Sequence, residues 1–232
     1  MVACHSAELG SGELAVPNAD AELAIKKFQV ADGLKVDLVA QEPQLMNPVA
    51  FDVDNQGRFF ISETGRYRSS ALDIRHYMDW YLDDLACRTV EDRVAMIKKH
   101  MGDDYVDMGK ESELIRLVED LDGDGKADSS KVYADGFDDL LDGIASGVLA
   151  RGDDVYFTSI PSVWKLKDED GDGKADSRES LSRGYGVHFS LTGHDLHGMI
   201  FGPDGKLYFT VGDRGAHVTS KEGKVFAFPD EG

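Results

Sequence analysis

Two acidic segments carry the most regular chemistry in the chain. In the first, Asp120, Asp122, Asp124 and Asp128 fall at positions 1, 3, 5 and 9 of a loop whose sixth residue is Gly125. In the second, Asp168, Asp170, Asp172 and Asp176 take the same places around Gly173. Carboxylates at this spacing wrap a hard cation, with a backbone carbonyl at position 7 and a glycine at position 6 for the sharp turn. Lys126 and Lys174 supply the two carbonyls. Glu179 stands at position 12 of the second loop and completes the calcium-loop pattern, whereas the first loop has Lys131 there and relies on Asp128. An all-oxygen ligand set favours Ca2+ over zinc or copper. An acidic turn with no ion is the plainer alternative, but four aspartates and a glycine in fixed spacing, occurring twice, are hard to obtain from composition alone. The flanking residues read as strands, so the loops are expected to be structural calcium sites and not helix-loop-helix sensors.

A second constellation is histidine-rich. His188, His194 and His197 lie within one short stretch, Asp195 sits among them, and Gly212-Asp213-Arg214-Gly215 follows at the far end of the next hairpin. Imidazole titrates near neutral pH and a carboxylate neighbour orients it, a combination suited to proton abstraction. A lone histidine is more often a satisfied structural residue; three in one loop beside acidic and basic partners make this the candidate catalytic segment.

The elements that must hold these loops repeat. Ile115 to Ser129 recurs as Val163 to Ser177, a shift of 48 residues between Asp120 and Asp168, and the register persists to Gly136-Phe137 and Gly184-Tyr185. A strand, an Asp/Gly/Asn turn and an aromatic-rich strand appear three times, at Pro48 to Ile61, Gly147 to Phe157 and Gly198 to Phe209. Hairpins repeating at this interval predict an all-β fold, a β-propeller of four-stranded blades. Loops at the inner strands of such blades face the axis, where ligands bind. The stretch from Asp73 to Leu85 instead places Ile74, Tyr77, Met78, Tyr81, Leu82 and Leu85 on one helical face, and Thr89 caps a second helix whose Val90, Val94, Ile97 and Met101 precede Gly102. Residues 64–112 are therefore read as a helical insertion in the first blade. Residues 1–27 read as a polar lead-in with a short helix near Ala21 to Phe28, and residues 28–232 as an incomplete, truncated propeller of the six-bladed type. Without the insertion, residues 35–232 supply about three to four blades, where closed propellers have roughly four to eight, so the reading expects the parent polypeptide to continue past Gly232.

Composition narrows the partners. The 232 residues include 44 acidic and 25 basic side chains, a net charge of −19, which repels a nucleic-acid backbone and attracts divalent cations. Cys4 and Cys87 are too few for a disulfide framework and lack metal or redox spacing. No run approaches the ~18 apolar residues of a membrane span, and no signal sequence opens the chain. Met1 to His5 partly matches the end of a lipoprotein signal and of a haem-attachment motif, and is read as uninformative.

The run from His194 to Gly215, His-Asp-Leu-His-Gly-Met-Ile-Phe-Gly-Pro-Asp-Gly-Lys-Leu-Tyr-Phe-Thr-Val-Gly-Asp-Arg-Gly, is similar to a stretch of soluble quinoprotein glucose and aldose-sugar dehydrogenases. Those enzymes have Gly-Gly-Arg after the histidine, where this chain has Leu196-His197-Gly198. From Phe28 onward the chain resembles the membrane-bound dehydrogenase domain of planctomycete and verrucomicrobial (PVC-type) haem-binding proteins. The resemblance lies in Gly33 to Pro43, Leu72 to Arg75, Asp79-Trp80, both acidic loops, Tyr185 to Phe189 and Gly193 to Gly198. It implies an exported, periplasmic or extracellular oxidoreductase that oxidises a carbohydrate or other alcohol and passes electrons to a quinone or haem. Its cofactors would be Ca2+ and pyrroloquinoline quinone, with haem on a cytochrome c domain beyond Gly232. The spacing shared with the quinoprotein dehydrogenases implies that His194 is the base that takes the hydroxyl proton; on the enzyme reading His197 and Asp195 shape the site, and His188, Asp213 and Arg214 line the axial pocket, where Arg214 holds an anionic cofactor or substrate group through a bidentate pair. Two other classes compete: a non-catalytic, calcium-stabilised binding propeller at the cell surface, and a lactonase-like hydrolase with an axial metal held by Glu63 and Asp213.

Overall fold

The computed structural model describes residues 19–189 and 193–230. Most of the lead-in, including Cys4 and the Met1 to His5 match, and Ser190 to Thr192 of the histidine segment lie outside the described residues. After a short helix α1 (Ala19–Ile25), the chain is built mainly from antiparallel strands. The first sheet runs β1 (Pro48–Val53), β2 (Phe59–Glu63), β3 (Glu113–Glu119) and β4 (Ser129–Phe137), each strand beside the next. A second sheet repeats that order with β5 (Gly147–Arg151), β6 (Asp154–Ser159), β7 (Ser162–Lys167) and β8 (Ser177–Arg183). Two hairpins follow, β9 (Leu196–Phe201) with β10 (Leu207–Val211), and β11 (Ala216–Thr219) with β12 (Val225–Phe228). All three strand–turn–strand segments of the sequence are hairpins, and both acidic segments join the third strand of a sheet to its fourth.

Alternation of apolar residues explains how the sheets stack. Phe60, Ile115, Leu117, Tyr133 and Phe137 of the first sheet share one core with Val148, Val155, Phe157 and Leu166 of the second. On the other side of the second sheet, Ile160, Val163 and Tyr185 close on Leu196 and Ala216 of the hairpins. Each large side chain so buried is worth about 1.5–3 kcal/mol, and the stacking brings the leading strands β1, β5 and β9 next to one another in turn.

Between β2 and β3 the chain leaves the sheet for helices α2 (Tyr81–Ala86) and α3 (Val90–Met101) with flanking 3-10 turns. Helix α3 starts as the sequence predicts. Thr89 accepts the Asp92 backbone N–H while the Asp92 carboxylate accepts that of Thr89, a reciprocal cap, and Gly102 ends the helix. The preceding segment differs from expectation. Asp73 caps a 3-10 turn at Arg75, and Tyr77 adopts non-helical angles (φ −135°, ψ 44°), so no single face from Asp73 to Leu85 can form. Met78, Tyr81, Leu82 and Leu85 are exposed, and Trp80 is the residue that turns inward beside Ile74.

Candidate functional site

The acidic loops share one hydrogen-bond pattern. Asp120 accepts from the backbone N–H groups of Gly123 and Gly125 at 2.7 and 2.8 Å, and Asp168 accepts from those of Gly171 and Gly173 at the same distances. Asp122 and Asp170 accept from Asp124 and Asp172; Asp124 and Asp172 accept from Lys126 and Lys174. Position 6 requires positive φ, 87° at Gly125 and 85° at Gly173, which only glycine adopts without strain. Burial pulls the Asp168 carboxyl upward, and the surrounding N–H groups more than offset it, so it stays ionised below the ordinary carboxylate range.

One carboxylate oxygen from each of Asp120, Asp122 and Asp124 lies within 4.8 Å of the others, and the same holds for Asp168, Asp170 and Asp176. A cation bound at 2.3–2.6 Å needs ligand oxygens no farther apart than about 5 Å, so both donor sets fit Ca2+. The remaining expected ligands are placed differently. Asp128 lies outside the first set although it accepts from the Leu121 N–H just as Asp176 accepts from that of Glu169, Asp172 lies outside the second, and Glu179 reaches Lys221 at 3.2 Å from strand β8. Lys131 donates to the Asp172 carbonyl at 2.8 Å and so ties the first sheet to the second loop.

In the histidine segment, only one imidazole faces outward with a carboxylate partner. His194 Nδ1 lies 2.9 Å from Asp213 Oδ1, with the two side chains 47% and 56% exposed. A carboxylate only accepts, so Nδ1 carries the proton and Nε2 of the neutral ring presents its lone pair. The end of β10 can reach His194 because residue 212 is glycine: a Cβ there would collide with the His194 carbonyl. His197 donates Nε2–H to the Gly193 carbonyl at 2.8 Å, and His188, buried, donates Nδ1–H to the Asp84 carbonyl at 2.7 Å.

Asp195 and Arg214 form an interior ion pair. Their Oδ1 and Nη1 are 2.6 Å apart, Arg214 Nε donates to the His188 carbonyl, and the residues are 1% and 4% exposed. Asp195 is thus engaged in the interior, and neither Arg214 nor His188 is presented to a ligand as their expected roles require. A polyacidic quinone needs presented cations, so this set does not fit pyrroloquinoline quinone. Glu63, one of the two carboxylates the hydrolase reading names, is likewise paired with Arg116 at 2.7 and 2.9 Å.

The sequence reading missed the buried polar layer supporting this pair. Arg93 on α3 donates to the Leu141 carbonyl, and burial, with the charge of Arg214 adding to it, pushes its guanidinium down to about 9. The signal was present: Arg93 is three residues past Val90 and four before Ile97, on the helix's apolar stripe, and it is buried where Val94 is only partly so. Fully buried Glu113 accepts from Thr64, from Arg66 N–H at 2.8 Å and from Ala145 N–H at 2.6 Å. Burial raises its carboxyl to about 7 against those bonds, and raises Asp142 to about 6.

A folded state that holds a proton to higher pH than the unfolded chain loses stability as pH rises from the unfolded to the folded pKa. We therefore expect the melting temperature to fall between about pH 4.5 and pH 7, with Glu113 contributing roughly 3 kcal/mol of that loss. Thermal melts across this range check it. Glu113→Gln should flatten the slope, even though its amide lowers stability by facing the Ala145 N–H with a donor.

Among the described residues, no helix is long and apolar enough to cross a membrane. A family model described as "Domain of unknown function (DUF7133)" matches residues 20–231. No curated protein and no solved structure matches the chain.

Proposed function

We propose that this chain, which belongs to the DUF7133 family, is an incomplete β-propeller within an exported, calcium-binding oxidoreductase that oxidises a carbohydrate or another alcohol. The single observation that carries the chemistry is the His194–Asp213 pair at 2.9 Å. Asp213 fixes the tautomer, His194 Nε2 takes the proton of a substrate hydroxyl, and the ionised Asp213 then stabilises the imidazolium. The hydride that leaves the substrate carbon as its C–O bond becomes a carbonyl would go to a quinone, whose electrons would then pass one at a time to a haem; none of the described residues is assigned to hold either group. Successive antiparallel units with their leading strands side by side support the propeller reading. The two acidic donor sets support Ca2+ as its structural ion. On this reading the chain is the PVC-type dehydrogenase domain of a periplasmic or extracellular protein whose electrons go on to a cytochrome c.

A second reading, a calcium-stabilised binding propeller without catalysis, gains from the interior placement of His188, Asp195 and Arg214. One assay separates them. The chain in Ca2+ is supplied with aldoses and simple alcohols, a quinone and a redox dye, and glycan binding is followed in parallel. Substrate-dependent dye reduction is the result the oxidoreductase predicts. Glycan binding with no dye reduction would sink it in favour of the binding module.

A further inference from the structure

The outward face of the first sheet has an exact counterpart in sequence register that is already in use. Pairing registers superpose β5–β8 on β1–β4, so that Val148 corresponds to Phe51, Ala150 to Val53, Val155 to Phe59 and Phe157 to Ile61. All four of those second-sheet residues pack against the first sheet. In the first sheet, Phe59 and Ile61 lie under Ala40 and Leu45, but Phe51 is 66% exposed and Val49 and Val53 beside it are also exposed. A surface built like a docking face is thus half covered.

Residues 35–40 show what belongs over the other half. Ala127 N–H of the first acidic loop donates to the Val39 carbonyl at 2.8 Å, and Ala175 N–H of the second donates to the Tyr133 carbonyl at 2.8 Å. Tyr133 lies on β4, the outer strand of the sheet before the second loop, so Val39 occupies the outer-strand position of a unit before the first loop. The grooves agree: one lies between residues 38–41 and Lys126-Ala127, the other between residues 132–135 and Lys174-Ala175. What differs is the neighbour. Strand β4 is hydrogen-bonded to β3, whereas residues 35–40 pair with no strand among the described residues.

We propose that residues 35–40 are the outer strand of a further antiparallel unit of this same repeat, one that brings three strands of its own and docks over Val49, Phe51 and Val53. The third strand of that unit satisfies the N–H and C=O groups along the 35–40 edge, and its apolar face continues the packing that joins the second sheet to the first. A second copy of this chain fits poorly, because β3 and β7 already pair with β4 and β8, and β11 with β12, so none of these strands is left for residues 35–40 to join as an outer neighbour. The inference rests on the sheet repeat alone and stands whether or not the chain is a dehydrogenase.

The test extends the full chain after Gly232 with a flexible Gly/Ser linker and a second copy of its own residues 147–167, a contiguous three-stranded unit, which makes docking intramolecular at millimolar effective concentration. Amide hydrogen exchange of residues 35–40 should slow by at least about tenfold relative to the unextended chain. Phe51→Asp in the extended chain, with Val53→Asp as a second variant, should restore the unextended rate. Protection of β3, which the added segment does not duplicate, reports in the same experiment that each protein is folded. Unchanged exchange in the folded extended chain, or slowing that survives both substitutions, would overturn the proposal, as would protection of residues 35–40 by self-association of the unextended chain.

Discussion

His194→Ala is expected to lower dye-linked oxidation by about 10²–10⁴-fold with little change in melting temperature, the range a positioned general base contributes. Its neighbour should behave in the opposite way. Asp195→Ala removes the partner of Arg214 in the interior and leaves an uncompensated guanidinium near Arg93, whose own charge burial already disfavours. Breaking a buried pair from one side costs about 3–5 kcal/mol, so Asp195→Ala should appear first as lost stability. Steady-state kinetics and thermal melts on the two variants check both halves. A His194→Ala protein of unchanged activity would remove the base from the account, and an Asp195→Ala protein as stable as its parent would remove the ion pair as a support for the site.

Calcium should have the next largest effect. A ligand that binds only the folded state stabilises it by about 2.7 kcal/mol at a concentration 100 times its Kd, so two independent loops give about 5 kcal/mol. The melting temperature should rise on adding Ca2+ and return with a chelator. Asp122→Ala or Asp170→Ala alone should remove about half the gain, since each takes one carboxylate from one cluster. The loops have a reason to stabilise more than themselves. Ala127 binds the Val39 segment, Ala175 binds β4, and Lys131 crosses to Asp172, so ordering each loop also fastens a sheet to what precedes it.

Much of the fold was readable because it is local. An apolar run, an Asp/Gly turn and an aromatic run make a hairpin wherever they occur, and the shift of 48 residues in the sequence alone aligns β3 with β7. The Thr89 cap was readable for the same reason. The histidines were not, because what separates them is distant packing. His188 is claimed by Asp84, 104 residues away, while the glycine at position 212 brings Asp213 to His194 across a hairpin. Glu179 fits the loop spacing in sequence, yet its place in β8 hands it to Lys221. The Asp73 to Leu85 segment misled because a helical period survives in sequence even where a cap at Asp73 and the angles of Tyr77 break the helix.

The most direct test of the account is a calorimetric Ca2+ titration of the chain and of Asp122→Ala, Asp170→Ala and the double variant. Two equivalents in the parent, one in each single variant and none in the double variant are predicted. No uptake by the parent, or uptake that persists in the double variant, would contradict the claim that these paired loops are the ion sites that fasten the sheets.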